Sequence, residues 1–264
     1  SVAPYTEEKA LNMATGYNTA ADFMWAAQQT SENYCVKTGI INWTSWASNQ
    51  TTFGYTGAGT NLYSAIDKSL YDRIPNSDWR KKQWVAPKGS VLDGQNTSCI
   101  ELGENSTYVS TKFRPGQGEV GDPNIGAATA IPLMRVEEMH FIKAEALAHT
   151  GGDAISALNE IMKTRNPSYS CTKTGEMLID EIVFQKRVEL WGEGQTFFDV
   201  KRLDMSVTRG YSGTNWKDTQ SVLNTNGRPA WMNYVMVITE SNNNKGVEGW
   251  NNPDPTDLYT PWTE

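Results

Sequence analysis

Few residues of this chain have the type and spacing that acid–base or metal chemistry requires. Glu137 and His140 form one E-x-x-H, the spacing that di-iron helical bundles use. Such a site needs a second copy of the motif and two further glutamates, but the only other histidine is His149, with Glu145 four positions before it. Because His140 lies on the apolar stripe of a predicted helix, we expect it to be a core residue rather than a metal ligand.

Three glutamates, Glu181, Glu189 and Glu193, could in principle supply the paired carboxylates of a glycoside hydrolase. Lys186 and Arg187 lie on the same predicted helix. Ion pairs within this helix and between helices therefore explain the acids more simply than catalysis does.

Other catalytic and cofactor-binding motifs are missing from the sequence. It has no G-x-S-x-G, no phosphate-binding glycine loop and no dinucleotide-binding glycine motif. The Asn- and Asp-rich stretch near the end of the chain lacks the spaced ligands of a calcium loop. We therefore expect a binding protein that uses no catalytic residue, no cofactor and no metal.

The aromatic and amide residues point to ligand binding instead. Ten Trp and eleven Tyr accompany abundant Asn, Gly and Thr. A flat aromatic ring stacks on the CH groups of a pyranose, and amides exchange hydrogen bonds with its hydroxyls. From Asn42 to about Gly59 the helical period disappears, which predicts an ordered but irregular loop of the kind that carries binding residues.

The elements that must hold this loop are clearest between Pro132 and Leu203. Apolar residues at helical spacing predict a helix that begins at Pro132 and ends at Gly151-Gly152. Asp153 is the predicted cap of a second helix that closes at Asn166-Pro167, so the two form an antiparallel hairpin of the tetratricopeptide type. A third helix follows to Leu190, with a short apolar continuation. One such hairpin cannot bury its faces alone, so we expect neighbouring helices that this chain lacks.

Outside this block the predicted elements are shorter. A helix capped by Thr6 is expected near the start, with a restart that reaches Ala27. Residues 34–41 are mixed and could form a strand. Another helix is expected from Tyr63 to Tyr71, and then a short turn capped by Asn76 or Ser77. Residues 86–130 and the chain beyond residue 209 give little helical signal and should be strands and loops.

Bulk properties exclude several classes of protein. The 264 residues carry a net charge of −7 at a pI of about 5.0, and no basic run exceeds residues 80–82, so a nucleic-acid footprint is absent. No apolar stretch has membrane-spanning length. Three distant cysteines argue against a disulfide framework, and three free thiols or one long-range disulfide remain open. The first residues are not an intact signal peptide, so the protein is cytosolic or its export signal lies outside this chain.

Four stretches of the sequence resemble the SusD/RagB family. Residues 132–146, PLMRVEEMHFIKAEA, are similar to the family's R-x-x-E-x-Y-L-I-K-A-E-A helix, with His140 where Tyr is common. The similarity continues through Arg165-Asn166-Pro167 and then residues 181–202, EIVFQKRVELWGEGQTFFDVKR. Upstream, residues 71–81, YDRIPNSDWRK, resemble the family's L-Y-x-x-I-P-x-x-D-x-R segment.

This resemblance implies a mainly α fold, a tetratricopeptide-like hairpin with additional helices and extensive irregular loops, as in the C-terminal half of a SusD-like α/α superhelix. The expected organisation is one region over 1–264, with a loop-rich ligand-binding part at 1–130, the helical block at 131–205 and an irregular tail at 206–264. Members are about twice as long, so an N-terminal half built from such repeats is expected to be missing. They are outer-membrane lipoproteins of Bacteroidetes, anchored at the cell surface through a cysteine that this chain lacks.

Family members capture glycans, or less often peptides, over a SusC-type TonB-dependent transporter, and their binding residues vary. Only this role is therefore carried over. By composition and placement we predict Trp43, Trp46 and Tyr55 as stacking residues. The amides Asn42, Asn49 and Gln50 are their predicted hydrogen-bonding neighbours. The alternative is that these aromatics fill a loop-rich core, which is the role we predict for Trp79, Trp84 and Trp191.

The leading hypothesis is therefore non-catalytic glycan capture for hand-over to the transporter. Three other functions remain open for comparison. The chain could be a structural or interaction module of the transporter complex, or a peptide-binding member of the family. A glycoside hydrolase is the third possibility, and it would require one of the glutamates to act on a bound sugar.

Overall fold

Side-chain caps mark the first turn of five α-helices in the described part of the chain. A computed structural model describes residues 2–14, 22–54 and 63–252 of the chain. Within them the helices are α1 (Glu7–Leu11), α2 (Tyr34–Lys37), α3 (Trp43–Ala47), α4 (Lys68–Arg73), α5 (Pro123–Gly126), α6 (Val136–Thr150), α7 (Ala154–Met162), α8 (Glu176–Glu189), α9 (Gln195–Arg202), α10 (Asp218–Ser221) and α11 (Ile238–Asn243). Two strands, β1 (Phe23–Ala27) and β2 (Ile131–Arg135), pair antiparallel. The fold is thus mainly α, as predicted.

The chain divides into two compact units, Ser1–Glu193 (unit 1) and Gly194–Glu264 (unit 2). In unit 1 the predicted hairpin is confirmed as α6 and α7. Gly151 ends α6 with a φ of 75°, a left-handed conformation that glycine adopts without strain. Asp153 caps α7 by accepting a hydrogen bond from the Ser156 N–H at 3.0 Å.

The hairpin packs against α8 around one apolar core. Phe141 of α6, Leu158 of α7 and Ile182 of α8 are fully buried in it. Burying side chains of this size contributes roughly 1.5–3 kcal/mol each. The third predicted helix is therefore confirmed, and it completes a three-helix layer.

A second core lies beneath α4 and contains Ile66, Tyr71 and Trp84. Trp84 has no exposed surface and meets Trp191 edge-to-face at 5.9 Å between ring centroids. Trp79 is also buried. The packing role that the sequence predicts for these three tryptophans is confirmed.

The two strands correct two helix predictions. Phe23–Ala27 is a strand rather than a restarted helix, and Pro132 lies inside β2 rather than at a helix start. An apolar run of five residues has no period that separates a strand from a helix. The pairing of Trp25 with Met134 joins segments more than a hundred residues apart, which local sequence cannot reveal.

Shorter segments also differ from prediction. Residues 34–41 contain α2 rather than a strand. The turn after Pro75 is a 3-10 helix, Trp79–Gln83, capped by Asp78 rather than by Asn76 or Ser77. Loops dominate residues 86–130. An isolated antiparallel bridge joins Ser110 of this region to Trp84.

Unit 2 contains α9 to α11 joined by irregular chain. Thr208 and Asn224 form an isolated antiparallel bridge, and the Arg209 guanidinium lies 4.4 Å from the centre of the Trp216 ring. None of the helices in the described ranges of either unit has the length and apolar character of a membrane span.

Candidate functional site

The Trp-rich segment forms a short helix, α3, where the sequence predicts an irregular loop. Asn42 caps α3, because its side-chain Oδ1 accepts a hydrogen bond from the Ser45 N–H at 2.8 Å. The inner face of α3 is polar. Thr44 is buried, and its hydroxyl lies 2.9 Å from the hydroxyl of Thr129. These contacts fix the helix on unit 1 without using either tryptophan.

The two tryptophans of α3 have different environments. Trp46 is 58% exposed, so more than half of this side chain faces solvent. Trp43 is half-buried and meets Phe113 edge-to-face at 5.6 Å, and Phe113 stacks on Trp191 at 6.4 Å. Trp43 therefore anchors α3 to the aromatic core, whereas Trp46 forms the surface.

The three predicted hydrogen-bonding amides lie beneath this surface. Asn49 is 1% exposed; its Nδ2 donates to the carbonyls of Ser64 and Ser110, and its Oδ1 accepts from the Ser64 N–H at 2.8 Å. Gln50 is fully buried and accepts from the Cys99 N–H at 2.8 Å. Asn42 is occupied as a helix cap. In this arrangement the amides hold backbone in place, and a ligand contact through them stays a prediction.

Tyr55, the third predicted stacking residue, lies outside the described residues. Sequence reasoning missed another exposed aromatic close along the chain, Tyr34 at the start of α2, which is 81% exposed. The adjoining segment 116–130 packs against residues 44–53, because the Thr52 N–H donates to the Val120 carbonyl at 2.7 Å. Gly126 is required there, since a Cβ would lie 2.9 Å from the Phe53 ring and closer still to the Glu119 carbonyl.

The candidate catalytic glutamate Glu189 lies at the centre of a buried ion network. Arg165 contacts both of its carboxylate oxygens at 2.9 Å, Arg80 reaches it at 3.2 Å and Arg135 at 3.4 Å. Burial raises the pKa of Glu189, but these three guanidinium groups outweigh burial and hold that pKa well below its ordinary value. Glu189 is therefore a fixed anion rather than a proton donor.

The rest of the network surrounds this centre. Arg135 also contacts Asp22 at 2.7 Å and Glu193 at 2.8 Å, and Lys112 contacts Glu193 at 2.5 Å. Among the described residues the network joins four cations and five carboxylates: Arg80, Lys112, Arg135, Arg165, Asp22, Asp78, Glu137, Glu189 and Glu193. All of these side chains have 4% exposure or less.

Glu137 is the carboxylate whose protonation balances the charges of the network. Burial raises its pKa from 4.5 to about 7, with Arg135 opposing the shift and Glu189 and Asp22 adding to it. Protonation of Glu137 leaves four carboxylates opposite four cations. Its Oε1 also accepts hydrogen bonds from the Tyr5 N–H at 2.5 Å and from Arg165 at 2.8 Å.

Ion pairing of the three glutamates is thus confirmed, but with other partners than Lys186 and Arg187. Glu181 pairs with Lys173 at 2.5 Å and accepts a hydrogen bond from the Tyr169 hydroxyl. His140 was predicted on the buried face of its helix, and this is wrong. The buried face carries Glu137 and Phe141, and His140 is half-buried beside it. The buried face of α6 includes position 137, because the Glu137 side chain reaches into the ion network.

Among the described residues, the three candidate glutamates present no acid–base pair to solvent. The candidate carboxylates are buried and engaged by cations, and a general acid or base must lie within hydrogen-bond reach of its substrate. The surface of α3 instead offers an exposed indole on a fixed helix. Such a ring supplies contact area and stacking rather than chemistry.

Comparison with known proteins decides the family. The sequence matches the SusD family over residues 3–259. The chain belongs to the SusD family. Seven of the nine network members, including Arg135, Arg165 and Glu189, lie in the stretches that carry the family resemblance. Those motifs therefore mark the interior of this SusD-family chain.

Similar proteins come from Bacteroides. The starch-binding protein SusD of Bacteroides thetaiotaomicron is 30% identical over 121 residues, which are 45% of this chain and 21% of that protein. A SusD-like carbohydrate binding protein of Bacteroides vulgatus has a similar fold, with a TM-score of 0.63 at 22% identity over 98% of this chain and 54% of its own. A SusD superfamily protein of the same species has a TM-score of 0.57 at 19% identity, over 85% and 45% of the two chains. The present chain thus spans about half the length of these structures.

Proposed function

We propose that the surface around α3 binds the sugar rings of an oligosaccharide or polysaccharide, without catalysis. The observation that carries this proposal is Trp46, 58% exposed on a helix that buried polar contacts hold in place. A tryptophan carried on a fixed helix has only two side-chain torsions to restrict when its ring stacks on a pyranose. The similarity to a protein named for starch binding supports a carbohydrate as the ligand class.

The expected affinity of this surface is modest. A stacked aromatic contributes roughly 0.5–1.5 kcal/mol beyond the area it buries. A few such contacts suit a protein that releases its ligand, because a tightly bound glycan would not dissociate for transfer to another protein. We therefore propose that the whole protein delivers its glycan to a SusC-type TonB-dependent transporter at the outer membrane, where a lipidated cysteine anchors it.

Non-catalytic binding is supported by the state of the glutamates. Hydrolysis of a glycosidic bond requires two carboxyl groups that face the substrate. Glu189 and Glu193 face arginine and lysine side chains inside unit 1 instead. No release of reducing sugar is expected from any glycan that binds.

The test is titration calorimetry of starch oligosaccharides and a panel of other glycans against matched variants. Trp46→Ala should weaken binding about tenfold, the equivalent of one lost stacking contact and its buried area. Trp250→Ala is the control, because this tryptophan is 78% exposed but lies in unit 2. Equal affinity of both variants, or binding of peptides in place of every glycan, would overturn the proposal.

A second candidate function is favoured by the surface of the two-stranded sheet. Trp25 pairs with Met134, and both are exposed, as are their neighbours Met24 and Leu133. Exposed apolar side chains paired across two strands are typical of a contact with protein. It suits an interaction module whose partner is the transporter or the proposed N-terminal half.

The two candidate functions predict opposite results for one pair of variants. If glycan capture is right, Trp43→Ala and Trp46→Ala together remove glycan binding and leave assembly with the transporter intact. If the interaction module is right, Trp25→Ala weakens that assembly, and the α3 variants bind glycan no worse than wild type does.

A further inference from the structure

Unit 1 contains a cavity of about 420 Å³ that no tryptophan of α3 lines. It lies between α1, the 3-10 helix Trp79–Gln83 with the turn before it, the turn at residues 91–95 and the turn at residues 164–167. Its volume is within the range of small-molecule sites in proteins. The chain segments that form it come from four distant parts of the sequence.

Buried contacts hold the wall of this cavity in place. Trp79 is 6% exposed, and its indole N–H donates to the Thr164 carbonyl at 2.8 Å. The Arg165 guanidinium lies 5.2 Å from the centre of the same ring and belongs to the buried network. Leu92 is buried and Pro167 adds a further apolar surface. A ligand would therefore meet a preformed apolar wall.

The rim is polar and carries unused hydrogen-bonding capacity. Lys82 contacts the Oε1 of Glu7 at 2.9 Å, which leaves two ammonium donors and the other carboxylate oxygen. Asn76 and Ser77 are exposed and make no side-chain hydrogen bond to any described residue. Gln95 uses its Nε2 on the Val91 carbonyl and keeps its Oε1 as an acceptor.

The pairing of Glu7 with Lys82 selects the class of ligand. Neither group presents an uncompensated charge, so the rim does not favour an anion or a cation. The Glu7 carboxylate can accept a hydrogen bond from one hydroxyl while the Lys82 ammonium donates to the neighbouring hydroxyl, which matches a vicinal diol. The Asn76 amide offers a donor and an acceptor to further hydroxyls, and the apolar wall suits the CH groups of a sugar ring.

We propose that this cavity binds a single neutral sugar residue, as a free monosaccharide or as the end or branch of a longer glycan. The ligand class is that of the proposed function, but the site and its residues are separate from α3. Each part of the protein would then contact a glycan differently. The α3 surface stacks on the sugar rings along the glycan, and the cavity holds one sugar residue of the same glycan.

The experiment titrates glucose, galactose and N-acetylglucosamine into the protein, with backbone amide NMR shifts as the readout. The backbone amide resonances of residues 76, 77 and 95 should shift on titration of at least one sugar. The dissociation constant obtained from these shifts should lie in the millimolar range. The double variant Asn76→Ala/Gln95→Ala should weaken that binding about tenfold, since two net hydrogen bonds are lost. Gln28→Ala, an exposed amide elsewhere in unit 1, is the matched control and should bind as wild type does.

The outcomes separate this inference from the proposed function. Loss of monosaccharide binding in Asn76→Ala/Gln95→Ala, with binding intact in Trp46→Ala, supports the cavity even if no polymer binds at α3. Shifts confined to α3, binding unchanged in the double variant, or binding of free glycine in place of every sugar would each overturn it. Circular dichroism of the double variant establishes that it is folded.

Discussion

The buried network beneath α6 and the helix α3 use polar groups in two different ways. The network neutralises full charges that come from segments far apart in unit 1, such as Arg80 with Glu189. The contacts around α3 are neutral, made by hydroxyls and amides, and they leave one indole outside. The difference predicts that substitutions in the first region change folding and that, under the proposed function, substitutions in the second change ligand binding.

The energetic consequences of these two arrangements also differ. Removing one partner of a buried ion pair leaves an uncompensated charge and costs about 3–5 kcal/mol, whereas removing a neutral hydrogen bond costs about 1–3 kcal/mol. Variants in the network should therefore change folding before they change binding. Variants on the surface of α3 should do the reverse.

Arg165→Met should cause the largest effect. Arg165 is 1% exposed and contacts Glu137, Glu189 and the Tyr5 carbonyl, so its loss leaves two buried carboxylates short of a cation. We expect the free energy of unfolding to fall by about 3–5 kcal/mol in urea denaturation. Lys143→Ala is the control, because its ion pair with Glu160 is exposed and should contribute at most about 1 kcal/mol. Similar losses in both variants would contradict this view of the network.

Glu137→Gln should make the stability of unit 1 less dependent on pH. The native pKa of about 7 lies above the ordinary 4.5, so between these values the native state holds more protons than the unfolded state. The free energy of unfolding of the wild type therefore falls as pH rises across this window. Glutamine keeps the Oε1 acceptor for Tyr5 and stays neutral. We expect the variant to gain on the order of 2 kcal/mol relative to wild type between pH 5 and 8.

Urea denaturation of both proteins at several pH values measures this difference. The Glu189 carboxylate has a depressed pKa, so its contribution is present at neutral pH and is lost only as the pH falls below the ordinary range. The two glutamates therefore act in separate pH ranges. A difference between wild type and Glu137→Gln that is constant from pH 5 to pH 8 would show that Glu137 does not titrate there.

Asn49→Ala tests whether this amide serves the fold or a ligand. Its three hydrogen bonds hold the backbones of Ser64 and Ser110, and removing them should lower the free energy of unfolding by about 1–2 kcal/mol. Glycan affinity measured on the folded fraction should stay the same. Weaker binding with unchanged stability would instead support the ligand contact that the sequence predicts.

Trp46→Ala should have the smallest effect on stability, within about 0.5 kcal/mol, because its ring is mostly exposed. Trp43→Ala, three positions earlier in the same helix, should cost about 1–2 kcal/mol through its lost contact with Phe113. Thermal unfolding of the two variants side by side measures the contrast. Equal destabilisation would mean that Trp46 also packs against the core.

The sequence predicts the helical hairpin well because its signals are local. Gly151 and Asp153 mark the end and the start of helices through hydrogen bonds within a few residues. The strands β1 and β2 could not be predicted in this way, since each is defined by its pairing with the other. The same holds for Arg165, whose carboxylate partners Glu137 and Glu189 lie 28 and 24 positions away in the sequence.

The candidate site was predictable in its segment but not in its details. Clustered tryptophans and amides mark residues 42–50, yet α3 is too short to show a period that separates its faces. The sequence therefore could not tell that Trp46 is exposed and Trp43 half-buried. Nor could it show that Asn49 and Gln50 are buried, because their partners Ser64, Cys99 and Ser110 lie elsewhere in the chain.

The contact of Tyr5 with Glu137 and Arg165 has a consequence for the order of folding. These hydrogen bonds span 132 and 160 residues, so they close very long loops, and contacts of such high order form late. During synthesis Arg80, Lys112, Arg135 and Arg165 all emerge before Glu189, the carboxylate that three of them share. A nascent chain that ends before Glu189 therefore carries three arginines without their common counter-ion. Unit 1 should consequently reach its native state in one late cooperative step, once α8 is complete.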